Sequence, residues 1–322
     1  MMPELSVLCS FRDADSFLPT LLESVARSDF RDIELVMVDD GSVNSAAPII
    51  ERYEERIQRV ELIRVAESVG PATARNRAMD ACTGDLITFV DADDWVGPTY
   101  FSQLVATMNQ LGCAFARTDQ TRVTDGQRKF SRSPDVRYHR SLDPRSAILP
   151  VDRPTMVDFP YTHSGVFHRR LLDNGLLKMP DGLRTAEDRL WIWRLHLWAD
   201  SYARIPTGEY FYRRGIATSL TQVGDDRQLD FIPSFKLVLA QFEGDVELLE
   251  YEPKAVRQCL AVATHHLLLI DRLDPALRAM LIEGIRELVA MMPTEMLRVQ
   301  SNALGSTRQD ILRHALPELH HL

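Results

Sequence analysis

The sequence predicts an α/β fold, a mostly parallel sheet with helices on both faces, continued by an all-helical C-terminal extension. Three observations carry this reading. Strand and helix patterns alternate through the first third of the chain. One short apolar run, residues 86–90, ends in three carboxylates within four positions, Asp91, Asp93 and Asp94. From about Arg227 onward only helical periodicity is left.

Residues 5–9, 33–38, 60–65 and 86–90 are short and apolar enough to be strands. The intervening helices are expected over 17–26, 48–58 and 71–81. The first places Leu18, Leu21, Leu22 and Val25 on one face. Pro71 suits the first position of the third, where its missing N–H costs nothing. Strands that alternate with helices pair in parallel and are covered on both sides. A further helix is expected over 98–111. The pattern then loosens into short strands over 114–117, 120–124, 165–168, 202–205 and 209–213. Residues 125–160, rich in Pro, Arg, Ser and Asp, read as loops with a short helix. Residues 185–198 read as an amphipathic helix. The extension carries four helical stretches, 228–243, 253–272, 275–292 and 294–313. The chain therefore divides into an α/β domain, residues 1–225, and a helical extension, residues 226–322.

The formal net charge of −9 over 322 residues argues against nucleic acid as a partner. No apolar run approaches the ~18 residues of a membrane span. The longest, 260–270, is interrupted by Thr264, His265 and His266. Glu4, Arg12, Asp13 and Asp15 stand where a leader peptide needs apolar residues. The protein is expected in the cytoplasm, within reach of the inner face of the membrane. The four cysteines, Cys9, Cys82, Cys113 and Cys259, form no C-x-x-C pair, which disfavours structural zinc and suits reduced thiols.

The chemistry gathers at strand ends. Open α/β sheets bind ligands at the carboxyl ends of their strands. There Asp91, Asp93 and Asp94 can hold a hard cation, Mn²⁺ or Mg²⁺, shared with substrate phosphates. The competing reading is a turn in which Asp93 or Asp94 caps the helix near Pro98. Asp39-Asp40-Gly41-Ser42 follows the second strand and converges on the same edge, or is a simple turn. The first turn, Ser10-Phe11-Arg12-Asp13, lacks G-x-G-x-x-G, which disfavours a dinucleotide-dependent dehydrogenase. Gly70–Arg77 opens a helix on this edge, whose free N–H groups suit an anionic ligand. Thr185-Ala186-Glu187-Asp188 reads either as a helix cap, Thr185 at the N-cap and Asp188 at N3, or as a general base. Tyr210–Gly215 with Thr218-Ser219 is either an edge strand or a basic, aromatic loop that closes over a diphosphate through Arg213 and Ser219.

In this order the motifs resemble glycosyltransferase family 2, the inverting nucleotide-sugar transferases of GT-A fold. The motifs are V-D-D-G-S at 38–42, G-x-x-x-A-R-N at 70–76, G-D-x-I-x-F-x-D-x-D-D at 84–94 and the pair Glu187-Asp188. The resemblance covers roughly residues 4–220 and leaves out the helical tail. It implies a Rossmann-like catalytic domain over 1–225 that binds a nucleotide sugar, with a UDP-sugar expected. It implies that Asp40 and Arg75 reach the nucleoside, that Asp91 and Asp93 serve the ribose, and that Asp94 and Asp93 serve the metal. Asp188 is then the base, with Glu187 the next candidate. The usual P-x-Y-N first loop is replaced by Ser10-Phe11-Arg12-Asp13, so Arg12 takes the place of the tyrosine at the base; a guanidinium also stacks on a flat ring.

Residues 112–132 bear a weaker similarity to transferases that glycosylate wall teichoic acids. Six Lys and Arg stand between 122 and 140 against Asp125 and Asp135. That segment is either a solvated loop or a receiver for a phosphate-bearing acceptor. The expected acceptor is the hydroxyl of a cell-envelope polysaccharide, a polyol phosphate or a lipid-linked sugar. Two alternatives are open: a sugar-nucleotide-binding protein without transferase activity, and a nucleotidyltransferase. The helical tail, with no dense acidic or histidine cluster, is expected to dock or to assemble homo-oligomers outside the catalytic centre.

Overall fold

The computed structural model describes residues 2–215 and 223–317. The first third runs β1 (Leu5–Phe11), α1 (Leu18–Ala26), β2 (Ile33–Asp40), α2 (Ala47–Ile50), β3 (Arg59–Val65), α3 (Pro71–Ala81) and β4 (Leu86–Phe89). There follow β5 (Trp95–Val96), α4 (Tyr100–Leu111), β6 (Phe115–Thr118), β7 (Gln120–Thr124), β8 (Gln127–Ser131), β9 (Gly165–His168), α5 (Arg170–Asp173), α6 (Glu187–Trp198), β10 (Tyr202–Ile205) and β11 (Tyr210–Arg214). The extension holds α7 (Phe231–Leu239), α8 (Glu252–Leu268), α9 (Pro275–Ala290), α10 (Thr294–Asn302) and α11 (Ser306–Ala315).

The main sheet has the order β10-β6-β9-β4-β1-β2-β3. Its neighbours are parallel except at β9, which runs against both β4 and β6. Side chains alternate across the two faces, as the pleat requires. Val7, Cys9, Leu35 and Met37 join the core under α1 and α4, while Leu8, Val36 and Val38 join the core under α3 and α6. This parallel sheet under two helical layers is the α/β architecture expected. A smaller sheet, β5-β11-β7-β8, lies beside the main sheet's carboxyl edge. All four cysteines are buried and free.

Several elements differ from expectation. The helix expected over 48–58 stops at Ile50 and tightens into a 3₁₀ turn, Glu51–Tyr53. Ile50 and Ile57 still reach the core, with Tyr53 packed against it, while the charged residues between them are exposed; so short a run is marginal as a helix. β2 does not end before Asp39: the pairing Asp39↔Arg64 and Asp40↔Val65 keeps both aspartates in the strand, and the turn begins at Gly41. β8 lies where only loops and a short helix were expected. It is an exposed hairpin partner of β7, joined through Asp125-Gly126, both at positive φ. The helix expected over 294–313 breaks at Gly305, where φ is 85°.

The extension is built into the α/β core. Trp193 of α6 meets Phe242 edge-on at 5.6 Å and donates its Nε1–H to Gln258 Oε1 of α8 at 2.8 Å. One continuous apolar cluster runs from Leu8 and Val36 through Trp191 and Trp193 to Leu312 and Leu316. No described helix is long and apolar enough to cross a membrane.

Candidate active site

Parallel β1, β2 and β4 bring Ser10, Asp39, Asp40 and Asp91 to one edge. Asp40 accepts from Ser68 Oγ at 2.7 Å, Val69 N at 2.7 Å and Gly70 N at 3.0 Å. It thereby fixes the loop that leads into α3. Gly70 has a φ of 85°, which a side chain would resist. Asp39, the neighbour of Asp40 in sequence, was given no role of its own in the sequence reading. Its Oδ1 accepts from Ser42 N at 2.9 Å, while the buried Oδ2 has no hydrogen-bond donor and lies 3.8 Å from Arg64 Nε. Arg12 projects into solvent beside Asp13, at 3.6 Å.

At the mouth of β4, one ligand atom each from Asp91, Asp94 and His163 lies within 4.8 Å of the others. Asp93 is outside this cluster among the described residues. Asp94 is fully buried and accepts from Tyr210 Oη at 2.8 Å and Arg213 N at 2.7 Å. Burial, together with the charges of Asp91 and Asp93, pushes its pKa well above the carboxylate range. Asp93 is pushed up to about 6 by burial and the Asp91 charge. Burial also opposes ionisation of Asp91, but His163, 3.0 Å from Oδ2, and Arg75 hold its pKa below the ordinary value. Crowded oxygens that repel one another when charged suit a hard divalent cation, which would relieve the repulsion. The residues present therefore fit Mn²⁺ or Mg²⁺.

Sequence reasoning missed His163, a lone histidine in a loop. It stacks on Tyr210 at 4.2 Å and places Nε2 2.9 Å from Gln120 Oε1. Arg213 lies over the rings of Trp95 at 4.8 Å and Phe17 at 5.4 Å, with Nε donating to the Asp93 carbonyl at 2.7 Å. The structure thus places Arg213 beside the acidic cluster. Ser219 and Thr218 lie outside the described residues.

Glu187 and Asp188 open α6. The capping reading does not hold. Thr185 donates its hydroxyl to the Arg227 carbonyl at 2.6 Å, and the N-cap is Ala186, at a φ of 56° and with no side-chain cap. A non-glycine residue at positive φ is strained, and such strain collects at functional sites. Glu187 is claimed by Arg75, whose Nη1 lies 2.5 Å from Oε1 and whose Nη2 reaches Asp91 Oδ1 at 3.4 Å. Asp188 is left with Arg189 Nε at 3.9 Å. Burial raises its pKa to about 6, against the pull of Arg189. A partly exposed carboxylate poised there can take a proton near neutrality.

Asp188 and Glu187 line a cavity of about 690 Å³ whose opposite wall is the helical extension, with Phe231, Arg257, Gln258, His266 and Arg308. The extension, expected outside the catalytic centre, therefore lines the same cavity as Asp188 and Glu187. Within it His266 stacks on Phe231 at 4.4 Å, as expected of a packed histidine.

The glycosyl transferase family 2 model matches residues 6–176. A putative glycosyltransferase of Bacillus subtilis, EpsH, is 25% identical over 66% of this chain and 61% of its own length. The poly(ribitol-phosphate) β-N-acetylglucosaminyltransferase TarS of Staphylococcus aureus is 22% identical over 74% of the chain and 40% of its own. The chain thus spans less than two thirds of these relatives. Residues 1–349 of S. aureus TarS, solved with UDP-GlcNAc, superpose with a TM-score of 0.75 at 17% identity, covering 99% of this chain and 92% of that one. The likeness includes the helical extension and identifies the fold as GT-A type.

Proposed function

The chain belongs to glycosyl transferase family 2, and from that premise we propose an inverting, metal-dependent transfer of a sugar from a nucleoside-diphosphate sugar, with UDP as carrier, to a hydroxyl of a cell-envelope polymer. One observation carries the reading most: Asp188 opens a helix without capping it, faces a cavity, and is tied through Glu187 and Arg75 to the acidic mouth of β4. The donor's nucleoside lies along Arg12, Asp40 and Arg75, and its diphosphate at Asp91, Asp94 and Arg213. Asp91, Asp94 and His163 would hold a divalent cation, which would neutralise charge on the diphosphate. Asp188 accepts the proton of the acceptor hydroxyl, whose oxygen forms the new bond to the anomeric carbon. The bond to the diphosphate oxygen breaks with its electron pair, and the carbon passes through an oxocarbenium-like state. A single base and no protein nucleophile give inversion.

The UDP carrier is supported by the nucleotide sugar solved with TarS, and the polymeric acceptor by that relative's name. The proposal extends to self-association or contact with the inner membrane face through the extension, where Leu268, Leu269, Met280 and Met291 are exposed. The test is product analysis with a panel of nucleotide sugars and Mn²⁺. Release of nucleoside diphosphate with a β-linked product from an α-linked donor supports the proposal. Pyrophosphate release indicates a nucleotidyltransferase, and binding without turnover a sugar-nucleotide-binding protein.

A further inference from the structure

The cavity beside Asp188 has an electrostatic character that the donor site does not explain. The protein carries a net charge of −9. Yet the cavity wall presents six cations, Arg153, Arg184, Arg189, Lys254, Arg257 and Arg308, against four acids, Asp152, Asp158, Glu187 and Asp188. Some of these are neutralised. Lys254 pairs with Asp158 at 2.6 Å, and Arg184 with Asp226 at 2.9 Å and Asp230 at 3.1 Å. The acidic Glu187 is taken by Arg75. Among the described residues, Arg153, Arg257 and Arg308 have no carboxylate within 4.0 Å. They come from three remote parts of the chain: the loop at 151–154, α8 and α11. Arg257 is held in place by donating to the Ala303 carbonyl at 3.1 Å.

Like charges brought together by unrelated elements repel one another, and an anionic ligand removes the cost. Guanidinium forks match the two oxygens of a phosphodiester or a carboxylate. A cavity of about 690 Å³ has room for a sugar ring with one neighbouring unit. We propose that Arg153, Arg257 and Arg308 form an anion-binding acceptor subsite, which holds an acidic group of the acceptor polymer while a nearby hydroxyl meets Asp188. The inference rests on the transferase reading and names its acceptor class: a polymer bearing phosphodiesters or carboxylates. It also gives the extension its task, since two of the three arginines stand on α8 and α11.

The experiment measures binding of three labelled probes to the full chain by fluorescence anisotropy, with UDP binding followed in parallel. The probes are a ribitol-phosphate oligomer, an oligogalacturonate and a neutral dextran. Wild type binds at least one anionic probe, more weakly at high salt, and does not bind dextran; the preferred probe identifies phosphate or carboxylate. Arg257→Ala and Arg308→Ala each weaken that binding roughly tenfold, with UDP affinity unchanged. Arg257→Lys retains most of it. Arg27→Ala, an exposed control paired with Glu23, leaves it unchanged. Arg308 is exposed, so its alanine variant reports on binding without a folding defect. Dextran bound as tightly as the anions, neither anion bound, or unchanged binding in the Arg257→Ala/Arg308→Ala variant overturns the subsite. Nucleotide-sugar turnover separates the two proposals. Anion binding without any turnover sinks the transferase reading alone; turnover with arginine-independent acceptor binding sinks the subsite alone.

Discussion

Arg75, on the helix that follows β3, donates to Glu187, at the start of α6, over 2.5 Å and across 112 residues of sequence. Both side chains are mostly buried, and the guanidinium also reaches Asp91. Burial disfavours the Arg75 charge, but the two carboxylates hold it protonated, with its pKa above the ordinary value. The contact joins the acidic edge at the mouth of β4 to the helix that carries the proposed base.

Arg75→Ala should therefore act on stability and on turnover together. It leaves Glu187 as a buried carboxylate without its cation, a change that costs roughly 3–5 kcal/mol. Chemical denaturation should show a lower midpoint. Arg75→Lys should recover part of the stability but less of the rate, because one ammonium does not span both acids as the guanidinium does. A wild-type midpoint in Arg75→Ala would show that the pair holds nothing together.

Asp94→Asn should weaken donor binding as well as turnover. The substitution removes the ionisable oxygen, and so the charge a bound cation would draw out, from the group that Tyr210 and Arg213 aim into the cluster. Calorimetry of UDP binding with and without Mn²⁺ checks this. Binding by wild type that is equally tight with and without metal contradicts the metal assignment.

Arg12→Ala should raise the donor KM by about two- to fivefold, the size of a cation–π contact at an exposed site. Its effect on the acceptor KM should be small. A change confined to the acceptor would move Arg12 out of the nucleobase pocket.

The architecture was legible because strands buried on both faces read as short, continuous apolar runs bounded by turn residues. β1, β2 and β4 are of this kind, and the acids at their ends follow from topology alone. Weaker elements were not legible. β8 has no buried face, and only the Asp125-Gly126 turn could have pointed to it. The helix expected after Pro48 stops short although Ile50, Tyr53 and Ile57 pack on the core, because so short a run is marginal as a helix. Of the site, Asp91, Asp94 and the Glu187-Asp188 pair were readable as motifs. His163 was not, since its role depends on stacking against Tyr210, 47 positions away. The cavity wall of α8 and α11 was hidden for the same reason: scattered arginines on helices look like solvated surface until the tertiary fold gathers them.

The rate should follow the ionisation of Asp188. Its pKa is raised to about 6, so the carboxylate keeps its proton until the pH passes that value. Only the deprotonated form accepts the hydroxyl proton. In the kcat/KM profile with acceptor varied, the rate should rise about tenfold per pH unit below about 6 and level off above it. The limb should be absent from the residual activity of Asp188→Asn. A flat wild-type profile between pH 5 and 8 would place the base elsewhere.

The most direct measurement is transfer activity and donor binding in Asp188→Asn, taken on the same preparation. Asparagine is nearly isosteric, and the α6 N-terminus does not use Asp188 as its cap, so the melting temperature should stay at the wild-type value. Affinity for UDP with Mn²⁺ should also be unchanged. Transfer should fall roughly 10²–10⁴-fold, the loss expected when a general base is removed. Wild-type transfer at an unchanged melting temperature would contradict the account and make Glu187 the next residue to test.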